Sequence, residues 1–204
     1  MIQNNSILTL LLLFSINLET FYFNVGGINA YFNHDTLTNY NMHCIPDIKI
    51  NNFELEVDLG FHIDGLILSN CEPNCRYKLI NNNTTEELTI LFYPGRTKNH
   101  GSYFIINQIN TDRVNDGMKT STTHFISGRG IRIGQNTETV KTLLKLDRVI
   151  TQTRNDSLIL NYILDLNEEN CKEFQQKYNY PIYSASYIFV RNRLIQFGFG
   201  FEYP

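Results

Sequence analysis

The sequence contains no tryptophan, and its four cysteines include no C-x-x-C pair. Zinc held through cysteine needs that spacing, or histidine partners at suitable distances, and neither is present. G-x-S-x-G and H-E-x-x-H are missing as well, which excludes the nucleophile elbow of the α/β-hydrolases and the metal-binding helix of zinc proteases. No excess of positive charge is present either. Lys and Arg number 17 against 20 Asp and Glu, a net charge of −3, so no dominant nucleic-acid surface is expected. The local basic pairs, Arg129 with Arg132 and Arg191 with Arg193, read as solvated faces. Met1 to Ser6 hold no Lys or Arg, and no A-x-A site follows. No cysteine stands close behind the apolar run Ile7 to Ile16, so a bacterial lipoprotein anchor is not expected.

What is present begins with length and apolar content. A chain of 204 residues with 42% hydrophobic side chains forms one ordinary domain or two small packed units. The aromatic content rests on 14 Phe and 12 Tyr. Ile7 to Ile16 is an apolar run broken only by Thr9 and Ser15. It is too short to span a bilayer and fits the h-region of a signal peptide. Export to an extracytoplasmic place, periplasmic or secreted, is the expectation; an uncleaved buried segment is the alternative. Cys44, Cys71, Cys75 and Cys171 make an even count, which fits export. Three pairings are open to four cysteines, and spacing alone does not choose among them. A local Cys71–Cys75 bridge around Glu-Pro-Asn would leave Cys44 for Cys171, and free thiols are the rival state. Asn82, Asn83 and Asn155 stand in N-x-[ST] sequons, which matter only in a eukaryotic secretory pathway.

Ser127 to Leu146 organises the rest. Ile131 and Ile133 alternate with Gly130 and Arg132, which predicts a short strand. Gly134 suits a sharp turn, because glycine carries no Cβ. Asn136 or Thr137 can cap the following helix through a side-chain oxygen. Glu138 falls in the first turn, where negative charge suits the helix dipole. Val140, Leu143 and Leu144 form one apolar face, with Lys141 and Lys145 off it. Gly128, Gly130 and Gly134 precede this helix as glycines do in phosphate-binding loops. The spacing is G-x-G-x-x-x-G, no G-K-[ST] follows and no strongly apolar strand leads in, so a nucleotide site is not expected.

The other elements follow from alternation. Residues 25 to 45 read as an extended lead-in. Phe53, Leu55, Val57, Leu59 and Phe61 alternate with polar residues and predict a half-buried strand. Its wet face carries Glu54, Glu56, Asp58 and His62. Alternate residues on one strand lie about 6.5–7 Å apart, too far to converge on one calcium ion, so this face is read as solvated. Further strands are predicted at Arg76–Ile80, Leu88–Tyr93, Gly101–Ile109, Arg148–Thr153 and Ser157–Leu164, with a short helix within Asn167–Tyr178. A closing hairpin pairs Tyr183–Val190 with a last strand through Arg191-Asn192. In that strand Ile195, Phe197, Phe199, Phe201 and Tyr203 share a face that the Val140 helix would cover, and Gly198 and Gly200 either admit a neighbouring backbone or let the strand coil strongly. The expected fold class is α+β: an antiparallel β-sheet with one or two short helices packed on it, preceded by a β-rich N-terminal half. The expected organisation is a signal peptide at 1–24, a β-rich unit at 25–120 and an α+β unit at 121–204, with the boundary in the polar run Asn115–Thr123.

Gly130-Ile131-Arg132-Ile133-Gly134, followed by Thr137-Glu138-Thr139-Val140 and Leu143-Leu144, resembles the opening of small envelope proteins. These are the SmpA/OmlA (BamE) outer-membrane assembly lipoproteins and the β-lactamase-inhibitor-protein-like fold. The resemblance covers roughly Gly128 to Pro204, and the closing Leu194–Pro204 is similar to tails of exported proteins of Bacteroidetes type. It implies a helix-on-sheet module that binds protein and is not an enzyme. The chain departs from the family in lacking the lipobox cysteine and in carrying an extra β-rich half, and no family site residue is carried over. The expected function is an exported, non-catalytic protein-binding module. An envelope hydrolase and an immunity-like partner of a secreted toxin are the alternatives. The expected partner is protein, with no nucleic acid and no stable membrane span once the signal is removed. Tyr178, Tyr180 and Tyr183 around Pro181 are candidate interface residues, because tyrosine is enriched at protein contacts; capping of the core is their other reading. For a hydrolase, the nucleophile-like neighbours are His43 with Cys44 and His100 near Ser102. No catalytic, cofactor-binding or metal-binding residue is assigned, and no cofactor is expected.

Overall fold

Two-residue periodicity carries most of the architecture. The computed structural model describes residues 20–25, 28–33, 44, 46–57, 75–92, 100–109, 117–145, 150–154, 156–167 and 171–202. Met1–Asn41 and Met42–Pro204 are two separate compact units. In the first, β1 (Thr20–Val25) and β2 (Ile28–Asn33) form an antiparallel hairpin, so strand structure begins before residue 25. The apolar run Ile7–Ile16 lies outside the described residues.

The second unit is α+β. A short antiparallel pair, β3 (Lys49–Ile50) and β4 (Phe53–Glu54), comes first. Then follow β5 (Cys75–Ile80), β6 (Glu86–Phe92), β7 (Tyr103–Gln108), β8 (Met118–Lys119) and helix α1 (Thr137–Leu144). The chain ends with β9 (Ile150–Arg154), β10 (Ser157–Asp165), helix α2 (Lys172–Tyr178), β11 (Ile182–Val190) and β12 (Arg193–Glu202). Eight strands make one sheet in the order β8-β5-β6-β7-β12-β11-β10-β9. All neighbours are antiparallel except β8 with β5. β12 pairs with β7, so strands from both sides of residue 120 share the sheet and no break falls there. No helix among the described residues is long and apolar enough to cross a membrane.

One face of this sheet is the core. Tyr183, Tyr187 and Phe189 of β11, Phe197, Phe199 and Phe201 of β12, Leu160 and Leu164 of β10, and Phe104 and Ile106 of β7 all point there and are buried. Val140 and Leu144 of α1, Tyr178 of α2, and Ile50, Leu55, Phe125 and Ile131 cover it. The apolar stripe of the helix thus belongs to the same buried cluster as the aromatic strand, and its first turn meets the β11–β12 turn through Thr137 N and Asn192 Oδ1. Phe104 meets Phe199 edge-on at 5.9 Å, a favoured geometry for aromatic pairs.

Three expected elements differ. The strand foreseen over Phe53–Phe61 stops at Glu54, because Glu56 turns with φ 58°. Leu55 stays buried while Val57 is exposed, and residues 58–61 lie outside the described residues, as does Ile63–Leu68. Ile131 and Ile133 form no strand. Gly130 (φ 81°) and Gly134 (φ 86°) bend the chain on either side, and the alternating pattern comes from a loop that buries Ile131 fully and packs Ile133 partly against the core. In β12 the register shifts beside Ile188 and Phe189, so Gln196 faces Ile188 and Leu194 faces Phe189. Ile195 is the extra residue of this bulge, and Leu194 enters the core in its place. Tyr203 lies outside the described residues.

The opposite face of the sheet buries Asn161, Ser184, Tyr103 and Ile159. Gly198 and Gly200 let β7 close on β12, and the Tyr103 ring lies across both. A Cβ at Gly200 would come within 2.6 Å of Tyr103 Cα and would also meet the Ser102 carbonyl oxygen. Gly200→Ala should therefore lower stability by about 1–3 kcal/mol, the usual cost of overpacking; an unchanged urea midpoint would disprove this contact. Burial raises the Glu202 carboxyl above the ordinary glutamate range, with the Ser184 hydroxyl opposing the shift. The folded state thus keeps a proton that the unfolded chain releases at about pH 4.3. Its stabilising contribution is whole below that pH and is lost as pH rises through the folded value. Urea midpoints across mildly acidic pH should show this decline in the native chain and a flatter course in Glu202→Gln.

Candidate functional site

The loop ahead of α1 uses its own anion. Asp47 is 6% exposed, and its carboxylate accepts from the Gly128 amide at 3.1 Å and the Arg129 amide at 3.2 Å. Two successive amides aimed at one carboxylate make a small nest. The Tyr183 hydroxyl closes the arrangement. It donates to the Asp47 carbonyl at 2.8 Å and accepts from the Asp47 amide at 3.0 Å. Burial holds the Tyr183 hydroxyl well above the usual phenol range, so it is protonated throughout. The other loop amides are also engaged: Gly130 donates to Ser127 O and Gly134 to Leu194 O, both at 2.8 Å. The glycine pattern that resembles a phosphate loop therefore has no amides left for a phosphate at Gly128, Arg129, Gly130 or Gly134.

The outward side of the same loop is polar and basic. Gly134 and Gln135 bond to Leu194 through Gly134 N–H···O and Leu194 N–H···O, each 2.8 Å. This ladder brings Arg132 beside the β11–β12 turn, where Arg191 and Arg193 stand. The three arginines, with Gln135, Asn136 and Asn192, line an open depression of about 590 Å³. All three arginines are exposed. Among the described residues none of them forms an ion pair. Glu138, the nearby helix acid, pairs with Lys141 instead at 3.5 Å. The amide side chains have spent their acceptors internally. Asn136 Oδ1 caps α1 by accepting from Thr139 N at 2.8 Å, Asn192 Oδ1 accepts from Thr137 N at 3.2 Å, and Gln135 Oε1 accepts from Arg132 N at 3.0 Å. What faces solvent is a surface dominated by arginine donors and their positive charge, with the Thr139 hydroxyl beside them. Arg129, expected to pair off with Arg132, turns the other way and donates to the Leu144 carbonyl at the C-terminal end of α1, where a cation suits the dipole.

The candidate interface tyrosines lie inside. Tyr178, Tyr180 and Tyr183 are 6%, 1% and 1% exposed, which corrects their reading as surface contacts. All three pack around Phe201, with Tyr180 stacked on it at 4.8 Å. The segment folds back because Leu166 N donates to the Pro181 carbonyl at 2.7 Å. Cys44 and Cys171 form a disulfide with a Cα–Cα distance of 5.1 Å. Cys71 and the Cys75 side chain lie outside the described residues, as do His43, Asp58 and His62.

The nucleophile-like neighbours do not assemble. Cys44 is tied up in the disulfide, and Ser102, 1% exposed, donates to Glu56 Oε1 at 2.7 Å. The strand carboxylates have ordinary partners: Glu54 pairs with Lys49 at 3.0 Å and Lys177 at 3.8 Å. Among the described residues no group of three His, Cys, Asp or Glu could hold a metal ion. No protein-family model, curated protein or solved structure matches the chain.

The Asp47 nest makes a direct test. Hydrogen bonds to a charged group contribute about 1.5–3 kcal/mol, so Asp47→Ala should destabilise by about 2–4 kcal/mol, and Asp47→Asn by less because one oxygen can still accept. The Arg129 amide should lose hydrogen-exchange protection in both variants, whereas the Gly128 amide also donates to the Lys49 carbonyl at 2.9 Å and should keep part of its own. Unchanged protection would show that the nest is not formed in solution.

Proposed function

We propose that this chain is an exported, non-catalytic module that binds another protein. The observation that carries the reading is the depression at the β11–β12 turn, where three arginines converge with no carboxylate of the described chain to neutralise them. A protein of net charge −3 that leaves its arginines unpaired at one place has the charge arrangement of a recognition surface. Arginine is also among the residues enriched at protein contacts. The order of glycine loop, helix and closing hairpin supports the same reading through its resemblance to envelope modules that bind protein. The hydrolase alternative loses support because Cys44 is in a disulfide and Ser102 is buried. The disulfide fits an oxidising compartment and so supports export.

A photo-crosslinking residue at Thr139, which lines the depression, should capture one recurrent protein from the envelope or secreted fraction of the host. The same residue at Glu173, an exposed position on α2, should not. Equal capture from both positions, or none from Thr139, would overturn the reading. The identity of the captured protein separates an assembly partner from a secreted toxin.

A further inference from the structure

Arg191 occupies a position where arginine is costly. The β11–β12 turn has two central residues, both with left-handed backbone, Arg191 at φ 49° and Asn192 at φ 60°. Such turns favour Asn or Gly, since a Cβ meets the carbonyl in this region. Asn192 conforms, and its side chain holds the start of α1 through Thr137 N at 3.2 Å. The Arg191 side chain makes no ion pair among the described residues and lines the depression with Arg132 and Arg193. Strain at an exposed residue with no structural partner points to a use outside the fold.

We infer that the arginine depression recognises an extended acidic segment of the partner protein, with carboxylates of successive residues engaging Arg132, Arg191 and Arg193. This rests on the binding-module reading and gives it a chemistry. Three features choose the ligand. The three guanidinium groups outnumber the acceptors there, since the side-chain oxygens of Gln135, Asn136 and Asn192 each already accept a bond and Thr139 adds one hydroxyl, so the ligand must supply acceptors. Guanidinium forks match planar carboxylates in bidentate fashion. The depression is open to solvent and holds about 590 Å³, so it does not enclose and desolvate a single small anion. An exposed ion pair changes affinity by only about twofold to fivefold. Useful affinity therefore needs several pairs made at once, which a chain of carboxylates provides and a lone phosphate does not.

The test uses the full chain and a fluorescein-labelled hexaglutamate peptide, read by anisotropy, with hexaglutamine as control. Saturable binding is expected to hexaglutamate alone, and to weaken steeply between about 0.05 M and about 0.5 M NaCl as screening shortens. Arg132→Ala and Arg193→Ala should each weaken it by about twofold to fivefold, and the triple alanine variant should abolish it. Arg191→Gly should weaken binding while leaving the melting temperature equal or higher, since glycine relieves the left-handed turn. A lower melting temperature in Arg191→Gly would give that arginine a structural task and overturn the argument from strain. Displacement by inorganic phosphate, beyond that by chloride at matched ionic strength, would make this a small-anion site instead. If hexaglutamate fails to bind while the Thr139 crosslinker still captures a protein, the acidic-segment inference falls and the binding module stands. If both fail, both fall.

Discussion

Asp47 joins three stretches that are far apart in sequence: from the lead-in to β3, its carboxylate takes the glycine loop ahead of α1 and its backbone meets Tyr183 at the start of β11. A buried charge left without partners would be costly, so the loop amides must meet it, and they can do so only in one conformation. Once Gly128 and Arg129 are turned toward Asp47, Ile131 enters the core and Arg132 faces outward. The absence of a Cβ at Gly128 is part of this fit, because one would fall 2.8 Å from Asp47 Oδ1. The Cys44–Cys171 bridge tethers the same lead-in to the start of α2 across 127 residues. In the chain-entropy account a closure that long contributes about 4–5 kcal/mol.

The sheet depends on a second close approach. The two halves of the unit meet where β7 pairs with β12, and the two glycines of β12 make room for Tyr103 there. With that pairing in place, the aromatic row Phe197, Phe199 and Phe201 becomes continuous with Phe104 and Ile106. One core then serves strands from both sides of residue 120. The candidate site follows from the same frame: Gly134 and Gln135 bond to Leu194, and that contact sets Arg132 beside the hairpin turn. The loop therefore has two outlooks. Its amides face an internal carboxylate, and its arginine faces solvent in the company of two others.

Much of this was written locally. Alternation over Ser157–Leu164, Tyr183–Val190 and the final strand predicts β10, β11 and β12, since a strand with one apolar and one more polar face has a period of two. The Asn136 cap and the Val140–Leu144 stripe predict α1, and the paired Arg191-Asn192 predicts the turn. Alternation misled at Ile131–Ile133 and beyond Glu54, because a loop that returns alternate side chains to the core mimics a strand over three residues. Aromatic composition left two readings open at Tyr178, Tyr180 and Tyr183: a tyrosine suits an interface or a core cap, and its neighbours, here around Phe201, decide for the core. The bulge that exchanges Ile195 for Leu194 left no local signal, because it arises from the register between two strands.

The sequence by itself determined the α+β class, the capped helix α1, the closing hairpin and the even set of cysteines, because each rests on composition or on residues near one another in the chain. The tertiary structure decided that the halves share a sheet, that Cys44 meets Cys171, that Asp47 fills the glycine loop and that Arg132 joins Arg191 and Arg193. Those are contacts between distant residues. Their formation depends on which backbone groups are left to be satisfied once the core has closed, and no spacing along the chain encodes that.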